Sequence, residues 1–147
     1  MSSLSKLRSL ELADYYVLLW AMIMLPVVGV RLKSQGFKKT FSWAKSPPAN
    51  HASSSIDAKA RAIHLGKLIN FVAIYGFYRA NCLCRSLVLL KRMQLEGLTG
   101  ELQIGVPKDR TAQSLSILDA HAWVEYEGSV VNDQADLTSS HVKFDFN

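Results

Sequence analysis

Gly97 divides the chain into two kinds of sequence, and this change constrains the fold more than any other feature. Before it, apolar residues recur at helical spacing; after it, they alternate with polar or small residues. The expected fold class is therefore α+β, with a helical N-terminal part packed on a small core of antiparallel strands. At 147 residues, 49% of them hydrophobic, the chain can build the core of one ordinary domain. That much apolar surface excludes disorder, and the lack of a recurring period excludes repeat architectures. The two cysteines, Cys82 and Cys84, are too few and too close together for a disulfide framework, which points to a reducing, cytosolic location.

Charge is uneven along the chain. Residues 1–79 hold 11 Lys and Arg against 3 Asp and Glu, whereas residues 80–147 hold 6 against 9. A basic front half implies an acidic partner, but its scattered charges match no nucleic-acid-binding module. Tyr15 to Val30 is an uncharged run interrupted by Pro26. It is short of the roughly 20 residues that a spanning helix needs. Glu11 and Asp14 precede it and no small-residue cleavage site follows, so it is a poor signal peptide. A buried helix is the first expectation. A peripheral membrane contact is the second, because Lys33, Lys38, Lys39 and Lys45 follow, with Phe37, Phe41 and Trp43 among them. Ser46 to Ser55, with Pro47-Pro48, reads as a loop. The expected organisation is an apolar helix and basic, Pro-containing linker over 1–55, then a core over 56–147.

Ser55 can cap a second helix running from Ile56 to about Tyr78, with Ala62, Leu65, Ile69, Val72, Ala73 and Gly76 at helical spacing. Asn81 is a good N-cap for a third helix, and Gly97 ends it after about Leu95. Leu83, Leu87 and Leu90 form its apolar stripe, widened by Leu89 and Met93. Cys82 falls in its first turn, where unpaired N–H groups and the helix dipole favour an anion and hence a nucleophilic thiolate. Cys84 lies about 200° further round the helix, so a bond between the two sulfurs is not expected. Cys84 reads instead as a packed small hydrophobe. Cys-x-Cys without a second ligand pair is a weak zinc signal, and no cofactor or metal is implied.

Residues 98–106 read as a strand and 107–118 as a loop. Two further strands flank Tyr126-Glu127-Gly128. A two-residue turn would force Glu127 to positive φ, so a three-residue turn with only Gly128 left-handed is expected. In that register His121 stands opposite Asp133 on one face, within hydrogen-bonding reach. A thiol at a helix start, then a histidine and an aspartate on adjacent strands, is the arrangement of a cysteine nucleophile. His121 would move the proton, Asp133 would orient the imidazole, and N–H groups at the helix start would receive the oxyanion.

The blocks Asn81-Cys82-Leu83-Cys84-Arg85-Ser86-Leu87, Leu102-Gln103-Ile104-Gly105-Val106, Ala120-His121-Ala122-Trp123-Val124-Glu125 and Val131-Asn132-Asp133 resemble one family. It is the lasso-peptide leader peptidases, transglutaminase-like cysteine proteases of lasso-peptide biosynthesis. The likeness covers roughly residues 60–135, with the blocks in the family's order. It implies a transglutaminase-like, papain-like core, with Cys82 as nucleophile, His121 as base and Asp133 as orienting acid. The implied reaction is hydrolytic removal of a leader from a ribosomally made precursor peptide. The implied partners are that precursor, a separate leader-recognition protein and an ATP-dependent cyclase that closes the macrolactam. Separation of the recognition protein follows because residues 1–55 do not read as a winged helix.

Two other classes are carried beside this one. The same triad could pass the acyl group to an amine, as transglutaminases do, or the chain could be a non-catalytic scaffold of the processing complex. Of the remaining residues, His51 and His64 read as solvated, Trp123 as packing over the site, and Glu125, on the strand face of His121, as either tuning the site or simply solvated. Arg85 and Ser86 read as ordering the helix start or meeting substrate. Residues 134–147, including His141, carry no assignable motif.

Overall fold

The computed structural model describes residues 11–46, 56–107, 120–133, 138 and 141–143. The Pro-Pro linker with His51 and the Ser55 cap, and the loop expected at 107–118 beyond Pro107, lie outside the described residues.

Helix α1, Leu12–Lys45, is longer than the uncharged run alone implies. At its start the Asp14 carboxylate accepts the Glu11 N–H at 3.3 Å. Gly36, at φ 78° and ψ 175°, breaks the helix into two segments. A side chain is rarely tolerated at that φ, which is why the break falls on glycine. The second segment is tied to α3, Cys82–Leu95, where Lys91 Nζ donates to the Trp43 carbonyl at 3.2 Å. Val17, Ala21, Leu25 and Val28 of α1 enter the core. The expectation of a buried helix is therefore met on one face only: the opposite face is exposed.

Helix α2, Ile56–Tyr75, buries Ala62, Leu65, Ile69, Val72 and Ala73, as the spacing required, and ends about a turn earlier than expected. Helix α3 has the expected bounds. The Asn81 side chain accepts the Cys84 N–H at 2.8 Å. Gly97, at φ 76°, closes the other end. There Leu98 N–H donates to Met93 and Gly97 N–H to Gln94, a Schellman pair that satisfies two terminal carbonyls. Leu87, Val88, Leu89, Leu90 and Met93 are buried between α1, α2 and the sheet.

The sheet is antiparallel, with strands β1 (Glu101–Pro107), β2 (His121–Tyr126), β3 (Ser129–Val130) and β4 (His141–Lys143) in the order β3-β2-β1-β4. Leu102 pairs with Val124 and Ile104 with Ala122, placing these residues on the helix-facing side. Gln103, Gly105, His121, Trp123 and Glu125 alternate to the other side. Strand β4 falls in the segment for which no motif was read.

The β2–β3 turn corrects the sequence expectation. Tyr126 pairs with Ser129 and Glu125 with Val130, so the turn has two residues, Glu127 at φ 48° and Gly128 at φ 74°. Glu127 thus adopts the left-handed conformation that the three-residue turn would have avoided, at a cost of about 1–2 kcal/mol. The reason is burial. In this register Val131, whose N–H donates to the Val124 carbonyl at 3.0 Å, lies in the core at 4% exposure. One step of slip would turn Val131 outward and lose about 1.5–3 kcal/mol of apolar burial.

Candidate active site

In the observed register, simple alternation would send His121 and Asp133 to opposite faces. The chain avoids this by leaving the sheet after Val130 and bending through residues 131–133. Asn132 makes the bend possible. Its Oδ1 accepts the Val124 N–H at 2.8 Å, standing in for a strand carbonyl. Its Nδ2 donates to Ser86 Oγ at 3.0 Å, and its own carbonyl accepts from Asn70 Nδ2 at 2.7 Å. Helix α2 supports the bend from behind. A Cβ on Gly66 would lie 2.1 Å from the Val131 carbonyl oxygen, so only glycine permits that approach. The outcome is a direct hydrogen bond between Asp133 Oδ2 and His121 Nε2. Asp133 at Nε2 favours the tautomer with its proton there, leaving the Nδ1 lone pair to act as a base.

Cys82 is the first residue of α3 and is half-buried. One turn on, Ser86 is fully buried and donates to the Ala122 carbonyl at 3.0 Å. Residues four apart share a helix face, so this bond brings the Cys82 turn to the His121 end of β2. Among the described residues no hydrogen bond links the Cys82 thiol to the His121–Asp133 pair. Ser86, expected either to order the helix start or to meet substrate, makes its bonds within the fold, to the Ala122 carbonyl and to Asn132. Arg85 is half-buried, and among the described residues its Nε has no hydrogen-bond partner.

Cys84 behaves as the packed residue it was expected to be. It is 2% exposed, and its thiol donates to the Leu25 carbonyl at 3.2 Å. Burial pushes its pKa up to about 11, so it stays protonated and unreactive near neutral pH.

The outward face of the sheet gathers further rings. Trp123 is fully buried, with its ring centroid 6.1 Å from that of His121 and 6.1 Å from that of His141. The two imidazoles are 5.6 Å apart. Gly105 makes room for them, since a Cβ there would lie 2.9 Å from both Trp123 and His141. Glu125 is not solvated: it accepts from Trp123 Nε1 at 2.9 Å and pairs with Lys143 at 2.7 Å. Sequence reasoning missed His141, Asn70, Gly66 and the bonds of Ser86. The usable signals were a serine inside an apolar helix face and a glycine inside an apolar helix; neither names its partner.

The three helices also meet at a charged cluster away from these residues. Asp14 pairs with His64 at 2.9 Å and Arg61 at 3.4 Å, and Glu96 with Arg61 and Arg92 at 2.7 Å each. His64, expected in solvent, is thus half-buried, with its Nε2 in a hydrogen bond to the Asp14 carboxylate. Burial alone would raise the Glu96 carboxyl, but Arg61 and Arg92 outweigh it and hold its pKa below the ordinary value. Burial acts likewise on Asp14, where His64, the Glu11 N–H and Arg61 prevail and lower it.

The family model of the transglutaminase-like superfamily matches residues 24–144, which include most of α1, both other helices and all four strands. The chain belongs to that superfamily. No curated protein matches it, and no solved structure does. Among the described residues, helices α1 to α3 with a small antiparallel sheet accord with a transglutaminase-like α+β fold. At superfamily level, membership fits a cysteine protease or an acyltransferase. The match begins inside α1, so the transglutaminase-like unit takes in part of the apolar N-terminal helix.

Proposed function

We propose that this transglutaminase-like protein is a cysteine peptidase that removes the leader from a ribosomally synthesised lasso-peptide precursor. Cys82 is the nucleophile, His121 the base and Asp133 the orienting acid. The observation that carries the chemistry is the Asp133–His121 hydrogen bond at Nε2, held beside a helix whose first residue is Cys82. The substrate class rests on the motif resemblance.

In this mechanism the Cys82 thiol gives its proton to His121 Nδ1, and the sulfur attacks the carbonyl at the leader–core junction. N–H groups at the start of α3 receive the oxyanion. The imidazolium, stabilised by Asp133, returns the proton to the leaving amine as the C–N bond breaks, which frees the core peptide. Water then loses a proton to His121 and attacks the thioester. The leader leaves with a new carboxylate, and the thiol is restored. A separate leader-recognition protein presents the precursor, and an ATP-dependent cyclase closes the macrolactam afterwards.

The test is to incubate the purified chain and a leader-recognition protein with a lasso-type precursor, and to read masses. One cut at the junction, lost in Cys82→Ala, is expected. A product carrying an added amine in place of water would favour acyl transfer. Processing that continues with Cys82→Ala would make the chain a scaffold.

A further inference from the structure

The core takes only one face of α1. Among the described residues, Leu12–Lys45 is the one helix long and apolar enough to cross a membrane, and only 28% of its most apolar stretch is buried. Leu12, Tyr15, Tyr16, Leu19, Met22, Ile23, Val27 and Val30 are exposed, with Tyr16 at 61%, Leu19 at 59%, Ile23 at 57% and Val30 at 63%. At 100° per residue these positions fall within an arc of about 140°, forming a stripe about 27 Å long. Soluble proteins seldom leave so continuous an apolar strip uncovered. The surface continues beyond α1: Tyr78 packs on Gly29, and exposed Tyr75 and Phe77 precede it.

Charge identifies the kind of partner. Residues 31–45 carry Arg31, Lys33, Lys38, Lys39 and Lys45 with no acidic residue, and the four lysines are exposed. The only acid within α1, Asp14, is buried and paired with His64 and Arg61. A second copy meeting this one through the same face would bring the same positive segment and no matching acidic one. Anionic headgroups would supply the match, with acyl chains to cover the stripe and an interfacial setting suited to Tyr15, Tyr16 and Tyr75.

We propose that the outer face of α1 docks the protein onto an anionic lipid bilayer, with the helix lying in the interface and not crossing it. Crossing is excluded while the fold persists, because Val17, Ala21, Leu25 and Val28 on the other face are core residues. This inference does not depend on the peptidase reading.

Co-sedimentation of the full chain with phosphatidylcholine vesicles, with and without phosphatidylglycerol, tests it. Binding should be at least about tenfold tighter when phosphatidylglycerol is present, and should weaken with salt. Leu19→Gln/Ile23→Gln/Val27→Gln should lose binding to both vesicle types with its circular dichroism retained. Lys33→Gln/Lys38→Gln/Lys39→Gln should lose only the preference for phosphatidylglycerol. If the first variant does not fold, brominated acyl chains serve on the unaltered protein. They should quench the fluorescence that Trp20→Phe removes, since Trp20 flanks the stripe. The proposal is overturned if the chain remains in the supernatant with both vesicle types. A stable dimer in solution that excludes vesicles, and that the glutamine variant dissociates, would overturn it in favour of a second copy.

Discussion

The two ends of α3 are built from different interactions. At its C-terminal end, Glu96 is held by Arg61 and Arg92, and through Arg61 the cluster reaches Asp14 and His64. At its N-terminal end the fixing bonds are neutral: Asn81 to Cys84 N–H, Ser86 to Ala122, and Asn132 to Ser86. Ion pairs tolerate variation in geometry and join three helices where nothing has to react. Directional neutral bonds fix a position without themselves adding a charge beside the thiol, whose nearest fixed charge on the helix is that of Arg85, one turn on.

The largest effects should therefore come from the N-terminal end. Cys82→Ala and His121→Ala are expected to abolish precursor cleavage while the thermal midpoint stays within a few degrees of the parent. Asp133→Asn keeps the shape of the pair but removes its charge, and should cost on the order of 10⁴ in turnover. Cleavage assays followed by mass spectrometry, paired with melting curves, measure both. Full activity in Cys82→Ala would mean that the chemistry lies elsewhere.

Next come the residues that hold the bend. Gly66→Ala forces a methyl group into the Val131 carbonyl, and should cost about 1–3 kcal/mol or more in urea unfolding. Ser86→Ala takes an acceptor from Asn132 and a donor from Ala122, and should cost about 1–3 kcal/mol. Both should also slow turnover in the folded fraction, because the bend carries Asp133. A stability loss with unchanged turnover would show that the bend does not set the position of the pair.

These same residues explain what could be read in advance. The helix at 82–95 was legible because its signals are local: an Asn cap, a leucine stripe and a glycine stop. The strands following Gly97 were legible from alternation. The β2–β3 register was not, because local turn chemistry argued against a left-handed Glu127, and the opposing term, burial of Val131, depends on a partner sheet. His121 and Asp133 were named as a pair for a geometric reason that does not hold. They meet through Asn132, whose Oδ1 substitutes for a strand carbonyl, and not through direct opposition. The place of His141 depends on β4 joining β1, a contact with no short-range signal.

Smaller effects belong to the charged end. Asp14 and Glu96 bind protons less readily folded than unfolded, so the unfolded chain takes up more protons as pH falls. Their contribution is present at neutral pH and is lost as pH drops through the ordinary carboxyl values, 4.5 for Glu96 and 3.8 for Asp14, and below. Glu96→Gln should cost about 1 kcal/mol near neutral pH and flatten the acid limb of stability. Urea midpoints across that range would show it, and turnover per folded molecule should not change. A loss of turnover would mean that the two ends of α3 are coupled.

The smallest effect is expected two residues from the largest. Cys84→Ser keeps a donor for the Leu25 carbonyl and changes little volume, so it should cost about 1 kcal/mol and leave activity near the parent. Reactivity should separate the two thiols more sharply than stability does. Iodoacetamide at mildly alkaline pH should modify Cys82 and spare Cys84, which is 2% exposed and stays protonated well above that pH. Denaturation should then release a second reactive thiol. Peptide mapping of the alkylated chain distinguishes the sites directly. Preferential labelling of Cys84, or an inactive Cys84→Ser beside an active Cys82→Ser, would move the nucleophile to the inner face of α3. The Ser86 and Asn132 bonds would then have to be explained as packing alone.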